Sequence, residues 1–240
     1  ALNRLLKNDY PTGTDTTFAY DALSRRTQMV DSTGTSTYVY DSLGRLTTYT
    51  QPCGAVQKTI TYTFDQVGNR LTMTDPDANV QSYVYDANNR LTSTTAPGAG
   101  TTSYIYDALS RVTRQNNGNG TYVLNTFDTA GRLTLLENRK SDASLLSSFA
   151  YTMDNVGNRL SISESVIATD NVTYQNATVN YGYDNLYRLT SEHRTGYTPF
   201  WYEYQYDPAG NRLALVQKDG AGNVIGTTNS TYDAANKLLT

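Results

Sequence analysis

Short stretches of this chain alternate between an aromatic or aliphatic residue and a second kind of residue, and the alternation stops at regular intervals. Tyr38-Val39-Tyr40, Tyr83-Val84-Tyr85, Tyr104-Ile105-Tyr106 and Tyr204-Gln205-Tyr206 are the clearest cases. A period of two is that of a strand, so both tyrosines of each stretch fall on one face of a sheet. A second alternating stretch follows a few residues on, as in Leu71-Thr72-Met73-Thr74. It ends in turn chemistry, of which Asp31-Ser32-Thr33-Gly34, Asp75-Pro76-Asp77-Ala78-Asn79, Ala96-Pro97-Gly98 and Asp219-Gly220-Ala221-Gly222-Asn223 are examples. Strand, tight turn, strand and loop, repeated, predict an all-β fold of antiparallel β-hairpin repeats.

The tight turns carry a motif that recurs from end to end. An aromatic residue precedes an aspartate at Tyr20-Asp21, Tyr40-Asp41, Phe64-Asp65, Tyr85-Asp86, Tyr106-Asp107, Phe127-Asp128, Tyr183-Asp184, Tyr206-Asp207 and Tyr232-Asp233, and Met153-Asp154 fills the remaining slot. Four or five positions later stands a base: Arg25, Arg45, Arg70, Arg90, Arg111, Arg132, Arg159, Arg188, Arg212 and Lys237. An apolar residue usually follows the base; Arg26 is the exception. Eight of the ten copies have a further aromatic two positions before the motif, with Asn125 and Ser230 departing. Asn3-Arg4-Leu5 reads as the tail of an eleventh copy, so residues 1–240 form a single array, expected to be a piece of a larger protein.

An aspartate at the head of a turn accepts backbone N–H bonds two residues on. The residue just before the base is Gly44, Asn69, Asn89, Gly131, Asn158, Asn211 or Asn236 in seven copies, and Gly and Asn tolerate a left-handed backbone. Ser24, Ser110 and Tyr187 occupy that place in the others, and a different turn geometry is expected there. The base is placed to pair with its own Asp or the next, which predicts a ladder of ten ion pairs. The two longest internal intervals, from Asp128 to Asp154 and on to Asp184, call for longer loops or longer strands.

Composition agrees with this picture and removes several functions. Tyrosine supplies 21 of the aromatics against 5 Phe and 1 Trp, which suits a pleated, half-buried surface. A net charge of −3 leaves no electrostatic footprint for nucleic acid. One Cys and one His exclude an internal disulfide and any metal site built mainly from those residues; no cofactor is implied. No apolar run reaches the length of a membrane span.

At the motif residues the chain resembles the YD-repeat, or Rhs-repeat, family. Tyr40-Asp41-Ser42-Leu43-Gly44-Arg45-Leu46-Thr47, Tyr85-Asp86-Ala87-Asn88-Asn89-Arg90-Leu91-Thr92 and Phe127-Asp128-Thr129-Ala130-Gly131-Arg132-Leu133-Thr134 carry the resemblance, which covers essentially the whole chain. The family includes bacterial Rhs toxins, wall-associated proteins, the B and C components of Tc toxin complexes and the teneurins. The resemblance implies a sheet spiralling into a hollow shell or tube, without catalysis of its own. It also implies a secreted or cell-surface bacterial protein whose partners are the remainder of its own chain and an enclosed effector polypeptide. Rhs-type shells close with a plug containing Asp-Pro-x-Gly-Leu; the nearest string here, Asp207-Pro208-Ala209-Gly210, continues with Asn211 and belongs to a repeat turn.

The alternative is an adhesive or fibre-forming module that recognises glycans or other copies of itself. Its candidate surface is the densest aromatic cluster, Tyr197, Trp201, Tyr202 and Tyr204. Three further features read as ordinary structure. His193 is expected in a solvated loop, and Cys53 in a loop as a spectator thiol. Asp75 to Asn79 has part of a calcium-loop spacing but lacks its central Gly, so a hairpin turn is expected.

Overall fold

Twenty strands account for nearly all the regular structure, and no helix occurs among the described residues, 4–239 of this computed structural model. These residues fall into two compact units: one runs to Ile105 and includes Asn117–Asn119, the other holds Tyr106–Asn116 and the residues from Gly120 on.

The strands of the first are β1 (Lys7–Asn8), β2 (Thr16–Tyr20), β3 (Arg26–Asp31), β4 (Gly34–Tyr40), β5 (Leu46–Cys53), β6 (Val56–Phe64), β7 (Arg70–Thr74), β8 (Val80–Tyr85), β9 (Leu91–Ala96) and β10 (Gly100–Tyr106), whose last residue already belongs to the second unit. Those of the second are β11 (Val112–Asn116), β12 (Tyr122–Phe127), β13 (Leu133–Arg139), β14 (Leu145–Met153), β15 (Arg159–Ile167), β16 (Tyr174–Tyr183), β17 (Leu189–Gly196), β18 (Phe200–Tyr206), β19 (Arg212–Lys218) and β20 (Val224–Asn229). Within each unit every strand pairs antiparallel with its sequence neighbours, which is the meander that the turn spacing predicts.

The long intervals of the sequence are taken up as longer strands. β14 and β15 have nine residues each and β16 has ten, while the connection after β13 is a tight turn closed by Lys140 and Ser144.

Alternation divides the strands into two faces. One carries the aromatics one and three positions before each Asp. The other carries hydroxyl pairs in register across strands: Thr50 with Thr59 at 3.0 Å, Thr63 with Thr72 at 2.6 Å, and Thr152 with Ser161 at 2.7 Å. Opposed threonines and stacked tyrosines, such as Tyr38 and Tyr49 with centroids 5.0 Å apart, are the cross-strand pairs that stabilise a sheet.

No second layer packs on either face within a unit. Among the described residues the buried ones are Ala177, Val179, Ala214 and Ser36, of which only Val179 falls to 2% exposure. The surface of 14856 Å2 exceeds the roughly 11,000 Å2 of a globular monomer of this mass. Stability must therefore come from the sheet's own pairing and from the turns.

Candidate functional site: the aspartate–arginine edge

All ten motif turns share one backbone. The residue three after the Asp donates its N–H to the Asp carbonyl, and the Asp N–H donates to the carbonyl four positions on, as in Ser24 to Asp21 and Asp21 to Arg25, both at 3.0 Å. The third residue is left-handed in every copy: Ser24, Gly44, Gly68, Asn89, Ser110, Gly131, Gly157, Tyr187, Gly210 and Asn236 have φ between 59° and 104°. This is a three-residue hairpin loop, a type I turn completed by a left-handed residue. Two sequence expectations are corrected here. Ser24, Ser110 and Tyr187 do not depart from the common geometry. Asn69, Asn158 and Asn211 are not the left-handed residues of their turns; Gly68, Gly157 and Gly210 are, because position is set by distance from the Asp and not from the base.

The Asp carboxylate closes the loop from inside. In the first copy Oδ1 of Asp21 accepts the N–H of Leu23 at 3.0 Å and of Arg25 at 2.9 Å, and Oδ2 accepts Arg25 Nε at 2.6 Å. Asp41 with Arg45, Asp86 with Arg90, Asp107 with Arg111, Asp128 with Arg132 and Asp184 with Arg188 repeat the arrangement. The backbone N–H of the base is the largest influence on these six carboxyls, and with the guanidinium it holds each below the ordinary aspartate value.

The predicted ladder of ten ion pairs is thus a ladder of six among the described residues. Where the base comes fifth, an asparagine takes its place: Asn69, Asn158 and Asn211 donate from Nδ2 to Asp65, Asp154 and Asp207. The extra residue turns Arg70, Arg159 and Arg212 to the aromatic face, since one step along a strand reverses a side chain. In five of the other copies the fifth position holds a half-buried aliphatic, Leu46, Leu91, Val112, Leu133 or Leu189, while the first has Arg26 and the last an exposed Leu238. The displaced Leu71, Leu160 and Leu213 fall on the strand's bulge and stand 39–42% exposed. The last copy lacks the pair for a different reason. Lys237 stands at the fourth position and its N–H reaches Asp233, but no ion pair joins the side chains.

Arg25, Arg45, Arg111, Arg132 and Arg188 also reach forward. Arg25 Nη1 donates to the carbonyl of Asp41 at 3.2 Å, Arg45 to Asp65 at 2.7 Å, Arg132 to Asp154 at 2.6 Å and Arg188 to Asp207 at 2.8 Å. Arg4 makes the same bond to Asp21 at 3.1 Å, so the partial first copy is joined to the array. The guanidinium lies over the next motif's aromatic: Arg25 over Tyr40 at 4.9 Å, Arg45 over Phe64 at 4.8 Å, Arg111 over Phe127 at 4.5 Å and Arg188 over Tyr206 at 4.9 Å. Motif tyrosines answer in the opposite direction. The hydroxyls of Tyr40, Tyr183, Tyr206 and Tyr232 donate to the carbonyls of Arg26, Arg159, Leu189 and Arg212, each five positions after the preceding Asp. Sequence periodicity located all these residues, but the forward bonds to carbonyls carry no side-chain signature and were not foreseen.

A family model described as the teneurin YD-shell matches residues 16–153, more than half of the chain. The chain belongs to the YD-shell family. The fold is also that of parts of solved YD-shell structures. The crystal structure of TcdB2-TccC3-TEV matches with a TM-score of 0.78 at 21% identity, over 98% of this chain and 14% of that one. TcdB2-TccC3 matches with 0.76 at 21% identity, over 96% and 14%. A Photorhabdus luminescens Tc holotoxin pore with a TccC3 mutation matches with 0.66 at 20% identity, over 98% and 16%. At such identities the likeness is one of fold, and the chain spans about a seventh of the lengths it matches. No curated protein sequence matches significantly.

The remaining candidates of the YD-shell chain are placed as follows. Trp201 lies on the hydroxyl face, while Tyr202 and Tyr204 lie on the aromatic face, and Tyr197 is in the β17–β18 turn. Alternation therefore keeps the four from forming one surface. His193 is not in a loop but in β17, opposite Trp201 and stacked on it at 4.5 Å. On the other flank of Trp201, Lys218 Nζ lies 4.6 Å from the ring and pairs with Glu203 at 2.5 Å. Cys53 ends β5 and is exposed. Asp75 to Asn79 is a hairpin turn whose carboxylate accepts the N–H of Asp77 and the N–H and Nδ2 of Asn79, each at 2.9 Å.

Proposed function

We propose that this array is a section of a YD shell, in a secreted or surface bacterial protein, that encloses an effector polypeptide carried in the same larger chain. The observation that carries the reading is the edge itself. Repeats such as those of Arg25, Arg45 and Arg188 bind the next through an arginine that serves two aspartates and an aromatic, while the sheet within each unit remains one layer thick with almost nothing buried. Such a sheet can separate two spaces, and the array acts as a wall without catalysis of its own. The solved toxin chains, several times longer than this one, support a wall that continues beyond these residues.

The test is the intact mass of the native polypeptide, with a denaturing gel after protease treatment. A parent well above the mass of these 240 residues, with a non-repeat fragment that survives protease until the shell is denatured, is the expected result. A species of about this size that assembles into fibres or oligomers, with nothing protected, would overturn it.

A further inference from the structure

Arg70 has no acid. Nε is buried without a hydrogen-bond partner, and no hydrogen bond or ion pair joins its guanidinium to another described side chain. The strands around it, β5 to β9, contain neither Asp nor Glu. The turn aspartates at their ends are committed elsewhere. Asp65 accepts from Val67, Gly68 and Asn69, Asp75 from its own turn, Asp77 from Lys58, and Asp86 from Asn88 and Arg90. The guanidinium is held flat by rings instead, 4.5 Å from Tyr83 and 5.8 Å from Tyr62. A guanidinium presents five N–H donors, and leaving them without an acceptor in a partly desolvated place is costly.

Beside it lies a cleft of about 330 Å3 on the aromatic face of the first unit, lined by Leu46, Tyr62, Phe64, Arg70 and Tyr85. Its walls are aromatic and aliphatic, and Arg70 is the one charged residue among those that line it; the Arg45 guanidinium over Phe64 is taken up by Asp41. We propose that this cleft is a binding site for a carboxylate attached to an apolar body. The apolar part packs on Phe64, Leu46 and Tyr85, and the carboxylate takes the unpaired fork in the planar, two-bond manner that guanidinium favours. One cation with no lysine beside it suits a single negative charge better than a phosphate. The local cause is the extra residue between Asp65 and its base: Asn69 satisfies the Asp and releases Arg70 to the cleft. Arg159 is released in the same way, onto the ring of Tyr151.

The probe is benzoate, titrated into the full chain while the arginine Nε–H signals are followed by NMR, with benzamide as the uncharged isostere. The Arg70 signal should shift saturably with benzoate, benzamide should bind more weakly by roughly tenfold or more, and Arg70→Gln should abolish benzoate binding measured by titration calorimetry. A capped Phe-Glu dipeptide separates two sources of the same chemistry. Tighter binding than benzoate points to an acidic side chain of a polypeptide lying on this face, and weaker binding to a free small carboxylate. Equal response to benzoate and benzamide, or no saturable shift in the unmodified chain, overturns the proposal without need of any variant.

Discussion

Arg132 donates from Nη1 to the backbone carbonyl of Asp154 at 2.6 Å, across 22 residues of chain. The same guanidinium holds Asp128 through Nε at 2.7 Å. A rigid fork with donors on two edges serves both at once, whereas a lysine ammonium is a single point on a flexible stem. Arg132→Ala should lower the unfolding free energy by about 1–2 kcal/mol, and Arg132→Lys by less, because it keeps one contact. Urea denaturation of the three proteins measures this, and equal midpoints would show that the forward bond contributes nothing.

Tyr187 sits at φ 62° and is 60% exposed, so its side chain gains little from packing while its backbone is held left-handed. Nine other turns place Gly, Asn or Ser there. Asn visits that region at lower cost, and Tyr187→Asn should stabilise the protein by about 0.5–1 kcal/mol. A thermal melt decides it; a lower melting temperature would mean that the tyrosine ring makes contacts worth more than the strain.

Acid should loosen the array through its turns. The carboxyls of Asp21, Asp41, Asp86, Asp107, Asp128 and Asp184 are held below their ordinary value of 3.8 by the backbone N–H of the base and by its guanidinium. A carboxyl with a depressed value in the folded state contributes stability that is complete above its unfolded value and is lost as pH falls through the folded one. Stability should therefore be level with respect to these groups from neutrality to near pH 5 and decline below about pH 4. Melting temperatures across that range test the sign, and a protein as stable at pH 2 as at pH 7 would refute it.

Trp201 is held between His193 and Lys218 on the flanking strands, which makes it a packing element. Trp201→Ala should destabilise the second unit by about 1–3 kcal/mol. Hydrogen exchange on β17 to β19 reads this directly, and unchanged protection there would return the ring to the list of candidate ligand surfaces.

What the sequence disclosed, and what it withheld, divides along a physical line. Alternation and the Asp-to-base spacing located the hairpins, because both are properties of single strands and single turns. The left-handed positions were misplaced in three copies because the base was used as the ruler; Gly68, Gly157 and Gly210 show that the Asp carboxylate builds the turn, so distances run forward from it. The ladder loses three of its ten pairs because four and five are opposite parities on a strand, a distinction visible at Arg70 and Arg159 only once the turn's register is known, and a fourth because Lys237 does not pair with Asp233. The bonds from Arg25 and Arg45 to carbonyls of the next copy were not legible at all, since every residue has a carbonyl.

Those forward bonds give the edge a direction. One end of a paired copy offers a guanidinium, and the other offers a carbonyl beneath an aromatic ring, so Arg25, Arg45, Arg111 and Arg188 each meet the tail of the next copy in the same way. A joint that recurs in the same form does not record how many steps precede it. A hairpin gained or lost by recombination leaves two compatible ends, and the wall lengthens or shortens by one course of masonry with no other part needing to be recut.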